Sequence, residues 1–293
     1  MTTASFSGVF AAMLTPFTDD GAALSEPRLR AYCDFLLERG VHGLFAFGTT
    51  GEWPLLSEAE RTTGARVLVE QARGRVPVII HAGAYSTEQA RRLAVQAREA
   101  GASAVSVVSP PYYPLDDQAL FEHFVAVARA VSGLPVFLYN IPEFTNNDIS
   151  PALLLRIART SDNLAGLKYS GGSLTRLREY RRAVGGTFSL FNGNDSLALP
   201  GLHEGADGLV SGNAAAYPEL LVDLYELFRQ GRFAEAREKQ AELDAFIAGR
   251  DEARELASLK AILAFRGIPA GEVRAPLSRL DPAGRAALRR LVP

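Results

Sequence analysis

The segment VPVIIHAGAYSTEQARRLAVQAREAGASAVSVVSP (residues 76–110) contains the repeating unit from which the fold is predicted. An apolar run rich in β-branched residues (76–83) precedes a segment of helical period, and a second apolar run (102–110) follows it. Both runs are apolar almost continuously, which is typical of parallel strands covered on both faces. The helical segment opens at Thr87 and stops at Gly101, a common C-terminal glycine. The segment therefore predicts a strand–helix–strand unit.

The same alternation of strands and helices extends along the chain. Further helix starts are visible at Ser57, where Glu60 completes a capping-box pattern, and at Ser150-Pro151. Eight such units in about 230 residues match a (β/α)8 TIM barrel, an α/β fold of about 250 residues. We expect residues 1–230 to form the catalytic barrel and residues 231–293 to form a helical extension packed on it. The predicted strands are 8–14, 42–47, 76–83, 102–110, 134–142, 163–170, 187–193 and 205–212.

A doubly wound open sheet is the alternative fold for this pattern. Such a fold would place a glycine-rich phosphate loop after its first strand. Here the first strand is followed by TPFTDDGAAL (15–24), which contains neither a G-x-G-x-x-G nor a Walker pattern. The closed barrel is therefore the preferred prediction.

Composition excludes several classes of function. The 293 residues are 47% hydrophobic and 22% charged, with a net charge of −2, so nothing favours nucleic acid or an anionic membrane as partner. A single cysteine excludes an internal disulfide framework, and the four histidines show no metal-ligand spacing. The start of the chain lacks signal-peptide features and no apolar run has membrane-spanning length, so we expect a cytoplasmic protein.

A lysine ends the sixth predicted strand, in NLAGLKYS (163–170). Lys168 is one of only three lysines among 31 basic residues. Inside a barrel, desolvation lowers a lysine pKa, and a neutral amine attacks carbonyls to form a Schiff base, which arginine cannot do. The alternatives are a lysine paired with a carboxylate inside the barrel, or one whose ammonium reaches solvent at the rim.

Other polar residues follow neighbouring strands, at the end of the barrel where active sites form. GTTGE (48–52) can supply backbone amides for a small anion-binding nest, or it can be an ordinary loop. Tyr139 can act as a proton shuttle, or can simply pack in the core with its hydroxyl bonded. Tyr112 and Tyr113 follow two prolines and read as exposed and rigid, as in a subunit contact.

Four motifs in this order, GTTGE, SPPYY (109–113), YNIP (139–142) and GLK (166–168), resemble the pyruvate-dependent class I aldolase family. That family includes dihydrodipicolinate synthase, N-acetylneuraminate lyase and 2-keto-3-deoxygluconate aldolase. The resemblance covers nearly the whole chain. It implies a barrel with C-terminal helices, a homotetramer built from two dimers, pyruvate and an aldehyde as reactants, and no metal or nucleotide cofactor.

The resemblance also implies a role for individual residues. Lys168 is similar to the lysine that forms a Schiff base with pyruvate or another 2-keto acid, and Tyr139 and Thr49 to the proton relay. Tyr113 is similar to a tyrosine that reaches across a dimer interface into the neighbouring site. The remaining substrate contacts implied are Gly48, Thr50, Ser170, Gly193, Asp195, Val210 and Phe144.

Departures from the family pattern narrow the expected substrate. Phe144 stands where dihydrodipicolinate synthases have a carboxylate-binding arginine, and losing such a clamp costs roughly 2–5 kcal/mol. Ser196 stands where neuraminate lyases have a glutamate, and Gly212 replaces one of their hydroxyl residues. We therefore expect a lyase acting on a 2-keto-3-deoxy sugar acid. The alternatives are 4-hydroxy-tetrahydrodipicolinate synthase, N-acetylneuraminate lyase, a keto-deoxy acid dehydratase, a metal-dependent aldolase, and a barrel that binds 2-keto acids without turnover.

Overall fold

Eight parallel strands pair in chain order, and the eighth pairs with the first to close a barrel. The computed structural model describes residues 6–186 and 188–292, except for the side chain of residue 252. Residue 187, predicted to start the seventh strand, lies outside the described residues, as do residues 1–5 of the predicted barrel domain and residue 293 of the predicted extension. The TIM-barrel prediction is confirmed, with strands shorter than predicted at their ends. They are β1 (Gly8–Ala12), β2 (Gly43–Ala46), β3 (Val78–His81), β4 (Ala104–Val108), β5 (Val136–Asn140), β6 (Leu164–Tyr169), β7 (Ser189–Asn192) and β8 (Gly208–Ser211).

Helices surround the barrel and begin where their capping residues predict. Ser57 and Glu60 form the capping box, and Ser150 caps a helix whose first residue is Pro151. The helix predicted from Thr87 is capped by Ser86. The α-helices are α1 (Glu26–Glu38), α2 (Glu58–Ala72), α3 (Thr87–Glu99), α4 (Asp117–Ala130), α5 (Pro142–Thr145), α6 (Pro151–Thr160), α7 (Leu174–Val184), α8 (Ala198–His203), α9 (Pro218–Arg229), α10 (Phe233–Ala248), α11 (Glu255–Phe265) and α12 (Pro282–Ala287).

The barrel interior is packed with aromatic rings. The ring of Phe191 lies 5.0 Å from that of Phe10 and 5.7 Å from that of Phe137, centroid to centroid. Glycines make room for them, because a Cβ at Gly43 or Gly166 would lie 2.1 Å from the Phe10 or Phe137 ring, respectively. Polar residues at the carboxyl end of the strands therefore rest on an apolar floor from which water is excluded.

The C-terminal helices return to the barrel. Helix α10 packs against α8 and α9. Lys260, on α11, is bonded to Glu52 at 2.7 Å, and Arg274, which follows α11, is ion-paired with Glu60 of α2. These contacts connect the end of the chain to the loop that follows β2. In the part of the chain that the structure describes, no helix has the length and apolar character needed to cross a membrane.

Candidate active site

Lys168 lies on β6 with its amine held against two aromatic rings. The side chain is buried, with the residue only 5% exposed. Its Nζ lies 4.0 Å from the ring centroid of Tyr139 and 4.9 Å from that of Phe45. Among the described residues, no carboxylate oxygen comes within 4.0 Å of this nitrogen. The amine therefore faces π-electron density rather than a counter-ion.

The other two lysines show what the alternatives for Lys168 would look like. Lys239 lies on α10 and bonds to the exposed Glu242 at 2.8 Å. Lys260 is buried like Lys168, but its Nζ is 2.7 Å from the equally buried carboxylate of Glu52. Neither arrangement occurs at Lys168. Of its three sequence-based interpretations, the ion pair and the solvent-reaching ammonium are wrong for the described structure.

Barrel closure brings a phenol and a hydroxyl to the same place. Strand pairing puts Tyr139 of β5 directly beside Lys168 of β6. The Tyr139 hydroxyl is hydrogen-bonded to Thr49 Oγ1 at 3.2 Å, and either oxygen can be the donor. A chain of two exchangeable hydroxyls can pass a proton in either direction. The three side chains thus form one contiguous group.

The GTTGE turn (48–52) holds its backbone in a tight conformation. Its last residue, Glu52, donates its amide to the Thr49 carbonyl at 3.0 Å and has a φ of 59°, as does Phe47 just before the turn. Such left-handed angles at non-glycine residues store strain and cluster at functional sites. Within the described chain, the amides of Thr49 and Thr50 are not hydrogen-bonded donors. They remain available to an anion, as a nest requires.

A cavity of about 260 Å³ opens at this end of the barrel. All the predicted site residues line it except Gly48 and Tyr113. Gly48 does not line the cavity but leaves room for the Phe45 ring, since a Cβ at residue 48 would lie 2.9 Å from that ring. The predicted residues in the lining are Thr49, Thr50, Tyr139, Phe144, Lys168, Ser170, Gly193, Asp195 and Val210.

Tyr113 lies outside this cavity, on the surface. It is 71% exposed, and its ring packs edge-on against that of Tyr112 at 4.9 Å. Tyr112 has a φ of 90°, a costly angle for a bulky side chain. Asn147 secures the segment by donating its Nδ2 to the carbonyls of Pro110 and Tyr113, at 2.8 and 2.9 Å. The fold thus holds two aromatic rings rigidly in solvent.

Asp195 is a cavity residue whose carboxylate is already engaged. Its Oδ2 accepts hydrogen bonds from Ser211 Oγ at 2.7 Å and from Asn213, through the backbone amide at 3.1 Å and Nδ2 at 2.6 Å. Burial raises the pKa of Asp195, and these bonds oppose that rise. The residue therefore also ties the turn after β7 to the turn after β8.

His81 packs against the same two aromatic rings as the Lys168 amine. Its ring is fully buried against those of Phe45 and Tyr139, and neither ring nitrogen is hydrogen-bonded to a described residue. Burial, followed by the positive charges of Arg61 and Lys168, holds the pKa of His81 well below its ordinary value. Across the described residues, no group of three or more His, Cys, Asp or Glu side chains is arranged to hold a metal ion.

Sequence reasoning missed the contribution of the C-terminal helices to the cavity. Arg250 and Glu255 come from GRDEARE (249–255), which reads as an exposed polar turn with no local sign of burial. In the structure the Arg250 side chain is only 4% exposed, and burial lowers its pKa. The lining residues without an assignment from the sequence are Ile141, Asn194, Asn213, Ile247, Arg250 and Glu255.

Comparison with known proteins agrees with this geometry. The Dihydrodipicolinate synthetase family matches residues 5–293. A 4-hydroxy-tetrahydrodipicolinate synthase of Methanopyrus kandleri is 35% identical over 283 residues, 97% of this chain and 94% of the relative.

Two solved structures share the fold over the same extent. YagE, a prophage protein of the dihydrodipicolinic acid synthase family from E. coli K12 in complex with pyruvate, superposes with a TM-score of 0.91 at 31% identity, covering 98% of this chain and 97% of that one. A catalytic lysine mutant of the Ruminococcus gnavus sialic acid aldolase superposes with a TM-score of 0.94 at 26% identity, covering 98% and 94%. The chain therefore belongs to the dihydrodipicolinate synthetase family and is a lyase of the Schiff-base aldolase type.

Proposed function

We propose that this protein cleaves a 2-keto-3-deoxy sugar acid into pyruvate and an aldehyde. The observation that carries the proposal is the buried amine of Lys168, which has no carboxylate partner in the described structure and lies against a tyrosine hydrogen-bonded to a threonine. An amine that is not held in an ion pair is free to approach a ketone carbon, as a lysine nucleophile must.

In the proposed reaction, the neutral Nζ of Lys168 attacks C2 of the substrate, Tyr139 protonates the departing oxygen so that it leaves as water, and a protonated imine remains. The Tyr139 phenolate formed in that step then takes the proton of the C4 hydroxyl through the chain that it forms with Thr49. The C3–C4 bond breaks, its electron pair moves into the imine to give an enamine, and the aldehyde departs. Protonation of the enamine at C3 and hydrolysis then release pyruvate and restore the amine.

The substrate carboxylate is held by the turn after β2 in this proposal. The amides of Thr49 and Thr50 and the Thr50 hydroxyl are donors at the cavity wall. Gly193 is needed on the opposite side of the lysine, because a Cβ there would lie 2.7 Å from Lys168 Cε. Val210 and Ser170 complete the lining next to the amine.

Phe144 supports a sugar acid over aspartate semialdehyde. It lines the cavity, is 67% exposed and carries no charge, so it cannot clamp a second carboxylate as an arginine would. The identity to the Methanopyrus kandleri synthase favours 4-hydroxy-tetrahydrodipicolinate synthase as the second candidate. Condensation rates separate these two candidate functions. The rate with pyruvate and aspartate semialdehyde is compared with the rate with pyruvate and glyceraldehyde.

Subunit assembly belongs to the same proposal. The exposed Tyr112–Tyr113 pair favours a homotetramer built from dimers, in which the partner subunit's Tyr113 enters the site and joins the relay. Location in the cytoplasm likewise remains a prediction. Sedimentation analysis together with the activity of Tyr113→Phe tests the assembly and the role of the phenol.

The decisive experiment is reductive trapping. Pyruvate with borohydride should add the mass of a reduced pyruvate imine at Lys168, and peptide mapping should find none in Lys168→Arg. A wild-type protein that stays unmodified at Lys168 contradicts the mechanism. A protein that traps pyruvate but releases no aldehyde from any 2-keto-3-deoxy acid is instead a keto-acid-binding barrel.

A further inference from the structure

A buried arginine in the cavity uses none of its side-chain hydrogen-bond donors within the described structure. Arg250 follows α10 and lines the same cavity as Lys168, with a side chain that is only 4% exposed. Its Nε and Nη1 are fully buried without a hydrogen-bond partner. Beneath the guanidinium lies the ring of Phe246, with its centroid 5.2 Å from Cζ. Five donors on a buried cation are costly to leave unpaired.

The neighbouring carboxylates do not account for this arginine. The closest is Glu255, whose Oε1 is 3.6 Å from Nη1, beyond hydrogen-bond length, and whose side chain is 54% exposed. Asp195 is the other acid near it in the cavity, and the Oδ2 of Asp195 already accepts three hydrogen bonds from Ser211 and Asn213. Asp195 therefore does not need Arg250 for its own hydrogen bonding, and the exposed carboxylate of Glu255 can be solvated by water.

Among the described lining residues, Lys168 and Arg250 are the two cationic side chains. The positive charge at Lys168 stays with the imine at C2, so Arg250 is the cation that can face the rest of the substrate. Its planar donors match a carboxylate or a phosphate in two-bond geometry. The cavity therefore has an amine for the keto-acid end and a guanidinium for another group.

We propose that Arg250 binds an oxyanion, a carboxylate or a phosphate, on the aldehyde half of the substrate. This inference rests on the proposed function, since it takes Lys168 as the site of the 2-keto acid end. It narrows the substrate to a keto-deoxy acid that carries a second negative group. In this proposal that group is recognised at the turn after α10, and the uncharged position 144 on α5 does not bind it.

Binding of small probes tests the inference without turnover. Glycerate, glycerol 3-phosphate and glycerol share a three-carbon frame and differ in carrying a carboxylate, a phosphate or no charge. Each is titrated calorimetrically into the untreated protein and into protein reduced with pyruvate. We expect at least one anion to bind about 10-fold or more tightly than glycerol. Which anion does so distinguishes a carboxylate-bearing from a phosphate-bearing substrate.

Variants assign the effect to the guanidinium. In Arg250→Gln the favoured anion should weaken by on the order of 10- to 100-fold, as when a hydrogen-bonded charge is removed, while glycerol is unaffected. Arg250→Lys should retain part of the preference. Arg237→Gln, an exposed arginine on α10, is the matched control and should behave as wild type.

The outcomes separate this inference from the proposed function. Anions that bind no better than glycerol, or that bind equally well to folded Arg250→Gln, overturn the role of Arg250 even if pyruvate is trapped. Absence of a pyruvate adduct at Lys168 overturns the proposed function alone, because the titrations of the untreated protein still measure anion binding. Protein melting temperature is recorded for every variant, and Arg250→Lys decides the matter if Arg250→Gln does not fold.

Discussion

Gly193→Ala is expected to disable the enzyme without touching a reacting atom. An ideal Cβ at this position lies 2.2 Å from Ser170 Oγ and 2.7 Å from Lys168 Cε. The serine hydroxyl can rotate away. The lysine methylene cannot, and because carbon–carbon contacts are favourable only from about 3.5 Å, it must retreat by about 0.8 Å.

That displacement is large on the scale of catalysis. The amine of Lys168 lies against the Tyr139 and Phe45 rings, so moving Cε displaces Nζ from its position relative to the Tyr139 hydroxyl. A misplacement of about 1 Å costs about 100-fold in rate. We therefore expect kcat/KM to fall about 100-fold, with the rate of pyruvate imine formation falling in parallel. Overpacking should lower the free energy of unfolding by only about 1–3 kcal/mol.

The assay is the rate of borohydride trapping at Lys168, followed by mass spectrometry under single-turnover conditions. Gly172→Ala is the matched control, because a Cβ at that nearby glycine meets no atom within 4 Å. Urea unfolding shows whether each variant is folded. A folded Gly193→Ala protein that traps pyruvate as fast as wild type refutes the argument that this glycine positions the amine.

Three further perturbations test other parts of the structure. Tyr139→Phe removes the relay hydroxyl, so kcat should fall about 100- to 10,000-fold while equilibrium trapping of pyruvate persists; steady-state kinetics with unchanged kcat would contradict the relay. Lys260→Met leaves the buried Glu52 carboxylate without its cation, so the free energy of unfolding measured by urea titration should fall by about 3–5 kcal/mol. The double variant Lys260→Met/Glu52→Gln should recover part of that loss. Burial lowers the pKa of His123 to about 4. Between pH 6.5 and 4 the unfolded chain therefore binds a proton at His123 that the folded protein does not bind. The resulting contribution to the free energy of unfolding, up to about 3 kcal/mol, is fully present above pH 6.5 and should be lost as the pH falls toward 4. His123→Gln should flatten that part of the urea-stability profile, and an unchanged profile would exclude His123 as its source.

The architecture was predictable because its signals are local. Each strand is a short, continuously apolar run, and each helix start carries its own signal, as at Ser57 and Ser150. A continuously apolar run is buried on both of its faces, and a parallel sheet covered by helices provides that environment. Strand ends were predicted less well, since β3 covers Val78–His81 where 76–83 was predicted. The end of a strand depends on the partner strand, which a local pattern does not contain.

The candidate site was predictable only through the order of several motifs. GTTGE (48–52), taken alone, is more typical of an ordinary loop. The strained φ angles of Phe47 and Glu52 and the free amides of Thr49 and Thr50 become evident only in the folded backbone. Arg250 had no signal at all, because a charged residue in a polar turn is ordinarily exposed. Its burial follows from the way α10 and α11 return over the barrel.

The chain therefore encodes its barrel in its own local patterns, and the residue types at the strand ends restrict the chemistry to that of an amine, a phenol and small hydroxyls. The environment of each group depends on contacts between distant segments. Lys168 and Lys260 are both buried, yet only barrel closure and the packing of α11 leave the first against a tyrosine ring and the second against a carboxylate. A charge state is set by what surrounds the group in space, and sequence neighbours do not specify those surroundings.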